Sequence, residues 1–143
     1  MNSQKFILAV LAGTVVYFLL GWVVYGVLLR DTMASATASG FMRADADMVW
    51  WALIAGNLAF SFLLAYLVYR TGVSSPTGGA TLGLFVGGLV SLGGDLMMYA
   101  TSTVMTKPVM ILVDVLAGGL MAAITTGVIA WVYHVPKKTI AVA

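Results

Sequence analysis

Four long apolar segments, separated by short polar stretches, run along this chain. They cover approximately residues 6–29, 48–69, 78–104 and 109–133. At about 1.5 Å per residue, an α-helix of such a length crosses a hydrocarbon core of roughly 30 Å. The pattern therefore predicts an all-α polytopic membrane protein. We expect a single membrane domain over residues 1–143, folded as a four-transmembrane-helix bundle with both termini on the same side.

The polar stretches have the composition of connections between helices. Residues 30–47 form the one long loop, which is rich in Ser, Thr, Ala and Gly. Gly72 and Pro76 mark a turn between the second and third segments, and Pro108 suits the first turn of the fourth helix. The first segment is longer than the roughly 7–15 apolar residues of a secretory signal, so we expect it to be retained as a helix.

Composition narrows the class of protein. Hydrophobic residues make up 62% of the chain and charged residues 8%, against roughly a quarter charged in soluble domains. The surface must therefore be solvated by lipid, and the lipid bilayer is the first expected partner. A net charge of +2 argues against a nucleic-acid partner. With no cysteine and a single histidine, His134, thiolate and multi-histidine metal sites are excluded, and we expect no cofactor and no metal.

The distribution of basic residues suggests an orientation. The side with the termini holds four of them: Lys5, Arg70, Lys137 and Lys138. The opposite side holds three: Arg30, Arg43 and Lys107. Because cytoplasmic loops are enriched in Lys and Arg, we expect a multi-pass protein of the inner (cell) membrane with cytoplasmic termini.

Small residues recur at four-residue spacing in the third and fourth segments. The series in the third segment is Gly79, Gly83, Gly87, Ser91 and Asp95, and in the fourth it is Asp114, Gly118, Ala122 and Thr126. Helices associate in lipid where small residues allow their backbones to approach. We expect these two seams to pack together, through Gly83, Gly87, Ser91, Gly118 and Ala122. The competing interpretation is that glycine is simply common in transmembrane helices.

Two carboxylates lie inside the apolar segments. Asp114 is five residues into the fourth segment, about 8 Å deep, and Asp95 lies about 9–14 Å from the same surface at the end of the third. Asn57 in the second segment and Tyr25 in the first reach a comparable level. The sequence therefore predicts one polar intramembrane cluster below the long loop, formed by Asp95, Asp114, Asn57 and Tyr25.

Two functions of this cluster stay open. A buried carboxylate pair can serve as a proton or cation site or as a small-ligand pocket, because charge in the membrane is costly and is kept where it is used. Alternatively, the same groups form a hydrogen-bonded clasp between helices. Toward the terminal side the sequence offers only hydroxyl groups that do not titrate near neutral pH: Tyr17, Ser61, Thr125 and Thr126.

Short motifs in the last two segments resemble a known family. Residues 95–101 have the form Asp-Leu-x-x-x-Ala-Thr, and Val113-Asp114-Val115 follows at the start of the fourth helix. Together they resemble a bacterial family of predicted four-helix small membrane proteins of unknown function, although Gly94 and Met98 stand where that family suggests more polar or aromatic residues. Residues 21–26 are also similar to the Gly-x-x-Trp-Tyr pattern of a second uncharacterised membrane family. The resemblance implies a four-helix bundle with paired aspartates and supplies no activity.

These observations lead to two functional hypotheses from different classes. The first is a non-enzymatic structural or accessory subunit of a membrane assembly, either a homo-oligomer or part of a larger membrane complex. The alternative is a small proton- or cation-coupled transporter or channel-like protein that uses the Asp95 and Asp114 pair. A membrane enzyme ranks third because no catalytic motif is present.

Overall fold

Five α-helices make up the fold of residues 3–134, the part of the chain that this computed structural model describes. Their bounds are Ser3–Gly21 (α1), Arg30–Ala36 (α2), Trp50–Thr71 (α3), Pro76–Thr101 (α4) and Val109–His134 (α5). A π-helix, Trp22–Leu28, continues α1. No β-strand forms within the described residues. The basic residues predicted after the last helix, Lys137 and Lys138, lie outside them.

Four helices of this fold are long and apolar enough to cross a membrane. They are Ser3–Leu28, in which the π-helix extends α1, and α3, α4 and α5. The prediction of an all-α, four-span membrane protein is confirmed. The helix ends differ from the expected ones by a few residues, and the largest difference is that α4 ends at Thr101 rather than Val104.

Local capping explains where α3 ends and α4 begins. Gly72 closes α3 with a positive φ of 68°, a conformation that favours glycine. At the start of α4, the Ser75 hydroxyl accepts the backbone N–H of Gly78 at 3.0 Å, and Pro76 occupies the first turn. The turn between these helices is therefore specified by its own residues.

The helices are not arranged as four equivalent members of a bundle. Helices α1, α3 and α5 pack on one another, whereas α4 packs almost entirely on α5. The core lies among α1, α3 and α5. Its members are small or aliphatic, with one aromatic residue: Phe6, Ala9, Val10, Leu64, Ala65, Val68, Ile129 and Ala130. Phe6 also meets the ring of Phe62 edge-on, with centroids 5.4 Å apart.

The contact between α4 and α5 is a close approach of small residues. A Cβ placed on Gly79 would lie 2.6 Å from the carbonyl oxygen of Thr126, and one placed on Gly83 would overlap the carbonyl oxygen of Ala122. A Cβ on Gly87 would overlap the Ala122 methyl group. The backbones of the two helices thus meet where the sequence offers no side chain to hold them apart.

The same seam continues to its polar end. The Ser91 hydroxyl group lies against the Cα of Gly118, where an added Cβ would overlap it. The next members of the two four-residue series are the aspartates, Asp95 on α4 and Asp114 on α5. The close approach therefore leads directly to the polar cluster.

The long loop closes the end of the bundle opposite the termini. After α2, the chain pairs with the connection between α4 and α5: the Ala38 N–H donates to the Val104 carbonyl, and the Thr106 N–H donates to the Ala36 carbonyl, both at 2.8 Å. This pairing explains why α4 stops early, since Val104 is held in an extended segment. The sequence predicts a loop over residues 30–47. In the structure these residues contain α2 and a 3₁₀ turn at Asp45–Asp47.

We predict that Gly83→Ala destabilises the protein by about 1–3 kcal/mol. The new methyl group would clash with the backbone of α5, which cannot rotate away as a side chain can. The matched control is Gly56→Ala in α3, where nothing lies within 4 Å of the added Cβ. The measurement is thermal or denaturant unfolding in a fixed mixed micelle. Equal stability of the two variants would contradict the close contact at Gly83.

Candidate functional site

The candidate site begins at the π-helix that follows α1. The Leu29 N–H donates to the carbonyl of Val24 at 2.7 Å, a bond five residues back rather than four. A π-helical turn holds an extra residue and rotates the side chains that follow it relative to an α-helix. Such turns are frequent at functional positions. Tyr25 lies in this turn.

Tyr25 joins the end of the first span to α5. Its hydroxyl donates to Oδ1 of Asp114 at 2.7 Å, and both side chains are partly buried. The two residues are 89 positions apart in the chain, so the bond is a tertiary contact between spans. A hydrogen bond to a charged acceptor is shorter and stronger than a neutral one.

Asp95 reaches the same place from α4. Its carboxyl group lies close enough to that of Asp114 for the two to interact electrostatically. Oδ2 of Asp95 is buried and accepts no hydrogen bond from any donor in the described part of the chain. The three groups form what we call the aspartate–tyrosine cluster: Tyr25, Asp95 and Asp114. It connects the first span, α4 and α5.

Asn57 makes no hydrogen bond to Tyr25, Asp95 or Asp114 in the described part of the chain. Its side-chain amide donates to the carbonyl of Leu53, one turn earlier in α3, at 2.7 Å. Depth along the helix was the only basis for grouping it with the aspartates. Depth does not determine which way a side chain points, and α3 packs on α1 and α5 while scarcely touching α4.

Tyr17 was expected away from the cluster but lies in its electrostatic neighbourhood. It is partly buried, close enough to Asp114 and Tyr25 to interact with them, and its ring is 5.0 Å from that of Phe60. A usable signal was present in the sequence, because Gly13, Tyr17, Gly21 and Tyr25 follow one another at four-residue spacing in the first segment. The site therefore offers two phenols and two carboxyl groups.

The interior beyond the cluster is tightly packed. A Cβ on Gly13 would lie 2.6 Å from the Ile129 side chain, and Ser61 is in contact at the same point. Ser61 and Thr125 are fully buried without a hydrogen-bond partner among the described residues, while Thr126 donates to the Ala122 carbonyl at 2.7 Å. Polar atoms are present here, but they are enclosed by aliphatic side chains.

The cluster has the wrong composition for a typical bound metal ion. Within residues 3–134 no group of three or more His, Cys, Asp or Glu side chains comes together. Its two carboxyl groups and one phenol, with the phenol of Tyr17 nearby, can hold or share a proton, and they can hydrogen-bond to one another across helices. These are the chemical capacities from which a function must be argued.

Comparison with known protein families gives one match. It covers residues 8–130 and is described as a protein of unknown function, DUF1761. This chain belongs to the DUF1761 family. No curated protein and no solved structure gives a match.

The DUF1761 match extends over most of the chain. The matched residues include all three members of the aspartate–tyrosine cluster and the glycine contacts of α4. The expected resemblance to a family of unknown function is confirmed at that level. Since the family description assigns no activity, the function has to be argued from the cluster and its surroundings.

We predict that Tyr25→Phe lowers the free energy of unfolding by about 1–2 kcal/mol, because it leaves a partly buried carboxylate oxygen without its donor. Tyr66→Phe is the matched control, since Tyr66 is an exposed tyrosine in a spanning helix. Unfolding in mixed micelles measures both. In the double variant with Asp114→Asn the two losses should not add; full additivity would mean that the bond contributes nothing.

Proposed function

We propose that this DUF1761 protein is a non-enzymatic integral membrane module, a self-associating or accessory subunit of a membrane assembly. In this proposal the aspartate–tyrosine cluster is an internal clasp that holds the first span, α4 and α5 together beneath the loop. The hydrogen bond from Tyr25 to Asp114 carries the proposal. Through this bond, a donor on the first span satisfies a carboxylate oxygen of α5 within the membrane.

The energetics of the membrane support a structural role for the cluster. A carboxylate at the bilayer centre costs about 3 kcal/mol on the insertion scale, and the cost falls where a neighbouring helix supplies a donor. The first span would otherwise reach α5 only through apolar contact, which lipid tails match equally well. A polar bond at this point specifies which helix faces which.

The packing of the terminal half supports a clasp over a pathway across the membrane. Beyond Tyr17, the interior is filled by Leu64, Val68 and Ile129, each with no exposed surface. A route for protons or cations needs a continuous series of polar groups or waters. The tight contact between Gly13 and Ile129 leaves no space for such a series there.

The outer face of α4 supports the association with another subunit. Gly93 and Gly94 have nothing within 4 Å of an added Cβ, so another helix could approach their backbone. Since α4 packs on α5 and on little else among the helices, no other helix of the described chain covers this face. The proposal therefore includes a homo-oligomer or a larger membrane complex assembled along α4.

A second candidate function is proton or cation coupling at the same cluster. The observation that favours it is the buried Oδ2 atom of Asp95, which accepts no hydrogen bond in residues 3–134. A proton shared with Asp114, or a bound cation, would supply the missing partner. This alternative makes the cluster the working part of a small transporter or channel-like protein.

We predict that Asp95→Asn and Asp114→Asn each lower stability, by about 1 kcal/mol, and reduce the crosslinked assembly that forms in native membranes. In proteoliposomes with an internal pH dye and an imposed membrane potential, we expect the wild-type protein to pass no protons above the protein-free background. Asp47→Asn in the exposed turn is the control and should change neither quantity.

The two functions give opposite results in this experiment. A wild-type proton flux that both Asp→Asn variants abolish, with folding and assembly intact, would overturn the clasp and establish coupling. The same test repeated with Na⁺ and K⁺ gradients covers cation transport. Loss of stability without any flux in the wild type would remove the main support for the alternative.

We further propose that the protein lies in the inner membrane, and that the end of the four-helix array that carries both termini faces the cytoplasm. The distribution of Lys and Arg, four on the terminal side and three opposite, supports this orientation. All five acidic residues of the sequence lie in the long loop or in the half of the spans next to it.

The chain has no cysteine, so single introduced cysteines are clean probes of this orientation. We predict that Ser74→Cys, in the turn before α4, is protected from an impermeant maleimide added to intact spheroplasts, whereas Ser39→Cys in the long loop reacts. Lysis should expose Ser74→Cys to the reagent. The reverse pattern in intact spheroplasts would place the termini outside.

A further inference from the structure

The long loop carries an exposed pair of large apolar residues among its small and polar ones. Phe41 and Met42 follow one another between Gly40 and Arg43, and their side chains are 53% and 68% exposed. Burying such side chains away from water is favourable in proportion to the apolar area that is covered. What covers the Phe41–Met42 pair depends on where the loop places it.

The backbone of the loop brings Phe41 to the side of α4. The Ala38 N–H is bonded to the carbonyl of Val104, three residues after α4 ends. A turn follows, in which the Phe41 N–H donates to the Ala38 carbonyl at 3.3 Å and Gly40 has a φ of 80°. Positive φ at the third position of a turn favours glycine. The turn reverses the chain, and Phe41 comes back toward α4.

Phe41 borders a groove on the outer surface of α4. The groove has a volume of about 360 Å³, and its α4 wall includes Gly94, Met97, Met98 and Thr101. Met97 is 72% exposed, and nothing lies within 4 Å of a Cβ added at Gly94, so this wall faces away from the other helices. Gly94 lies two turns, about 10 Å, before the end of α4 at Thr101. Phe41 therefore lies beside the wall of a spanning helix.

The length of α4 gives the depth of this groove in the membrane. The helix has 26 residues, which extend over about 39 Å against a hydrocarbon core of about 30 Å. When the helix is centred and upright, about three residues at each end extend beyond the core. Gly94 then lies within the hydrocarbon and Met98 lies at its boundary. The groove and Phe41 thus lie where hydrocarbon meets the headgroups.

Exposed aromatic side chains of another span are found at the same end of the molecule. Trp50 and Trp51 open α3, and both are exposed. Aromatic rings are enriched at the boundary between headgroups and hydrocarbon. Through Met97, the apolar surface of the Phe41–Met42 pair is continuous with the lipid-facing surface of α4. That continuity identifies acyl chains as the covering material.

We propose that the Phe41–Met42 pair anchors the long loop in the lipid leaflet on its own side, where the two side chains contact acyl chains beside α4. Contact with hydrocarbon removes their apolar surface from water, and it requires no particular charge on the lipid. In this proposal the loop is a part of the membrane domain, held at the bilayer surface. The inference is independent of the proposed function of the aspartate–tyrosine cluster.

The test uses a single spin label, which reports the surroundings of one residue because the chain has no cysteine of its own. The full-length Met42→Cys variant is labelled with a nitroxide and reconstituted in phosphatidylcholine vesicles. Electron paramagnetic resonance then measures collisions of the label with oxygen, which concentrates in hydrocarbon, and with a nickel chelate, which stays in water.

Two positions calibrate this measurement. Ala46→Cys lies in the 3₁₀ turn of the same loop, and Leu53→Cys lies at an exposed position of α3 inside the span. We expect the ratio of oxygen to nickel collisions at Met42 to be severalfold above that at Ala46 and close to that at Leu53.

Removing the larger side chain of the pair tests what holds the loop in place. In the labelled Met42→Cys protein, Phe41→Ser deletes the ring that borders the groove, and we expect the collision ratio to fall severalfold toward the value at Ala46. The matched control is Ala34→Ser at an exposed position of α2. It should leave the ratio unchanged.

Three results would overturn the proposal. A ratio at Met42 equal to that at Ala46 would place the loop in water, and an unchanged ratio in Phe41→Ser would remove that ring from the anchor. Few collisions with either reagent, together with spin–spin broadening, would assign the pair to a contact with a second copy of the chain. If Phe41→Ser fails to fold, the three labelled positions, which all keep Phe41, still decide.

Discussion

The close approach of α4 to α5 is the contact on which the rest of the structure depends. At Gly83 and Gly87 the two backbones meet with no room for a methyl group. Because α4 has almost no other neighbour, its position is determined by this seam. In lipid there is little hydrophobic driving force between helices, so dispersion contact over a flat, small-residue surface supplies the association. Asp95 reaches Asp114 only because that surface brings it there.

The seam ends at two neighbouring carboxyl groups, and a donor on the first span offsets part of the electrostatic cost of placing them together. Two carboxyl groups face each other in a medium of low dielectric constant, where repulsion and desolvation both act against the charged pair. The π-helix in the first span directs the Tyr25 hydroxyl to Asp114. One acceptor is thereby satisfied, while Oδ2 of Asp95 has no donor within residues 3–134. This asymmetry is the reason why two functions are proposed for the cluster, a clasp between helices and a site that binds a proton.

The fold was predictable from the sequence because its main determinants are local. Apolar length determines a span, and four-residue spacing places the small residues of α4 on one stripe. The features that could not be predicted depend on three-dimensional contacts, which the spacing of residues along the chain does not specify. The π-helical turn at Tyr25 has no motif, the orientation of Asn57 depends on its bond to Leu53, and the pairing of Ala38 with Val104 is a long-range backbone contact.

Charge separates the two ends of this molecule, and the separation has a physical consequence. The end with the long loop holds every acidic side chain, and there basic groups have acidic neighbours, as Arg30 has Asp45 at 2.8 Å. That exposed pair contributes little to stability, but it neutralises its own surface. At the end of α3, Arg70 forms no ion pair within residues 3–134. Its charge is therefore balanced by water and ions or by lipid headgroups, because anionic headgroups attract basic side chains at a membrane surface.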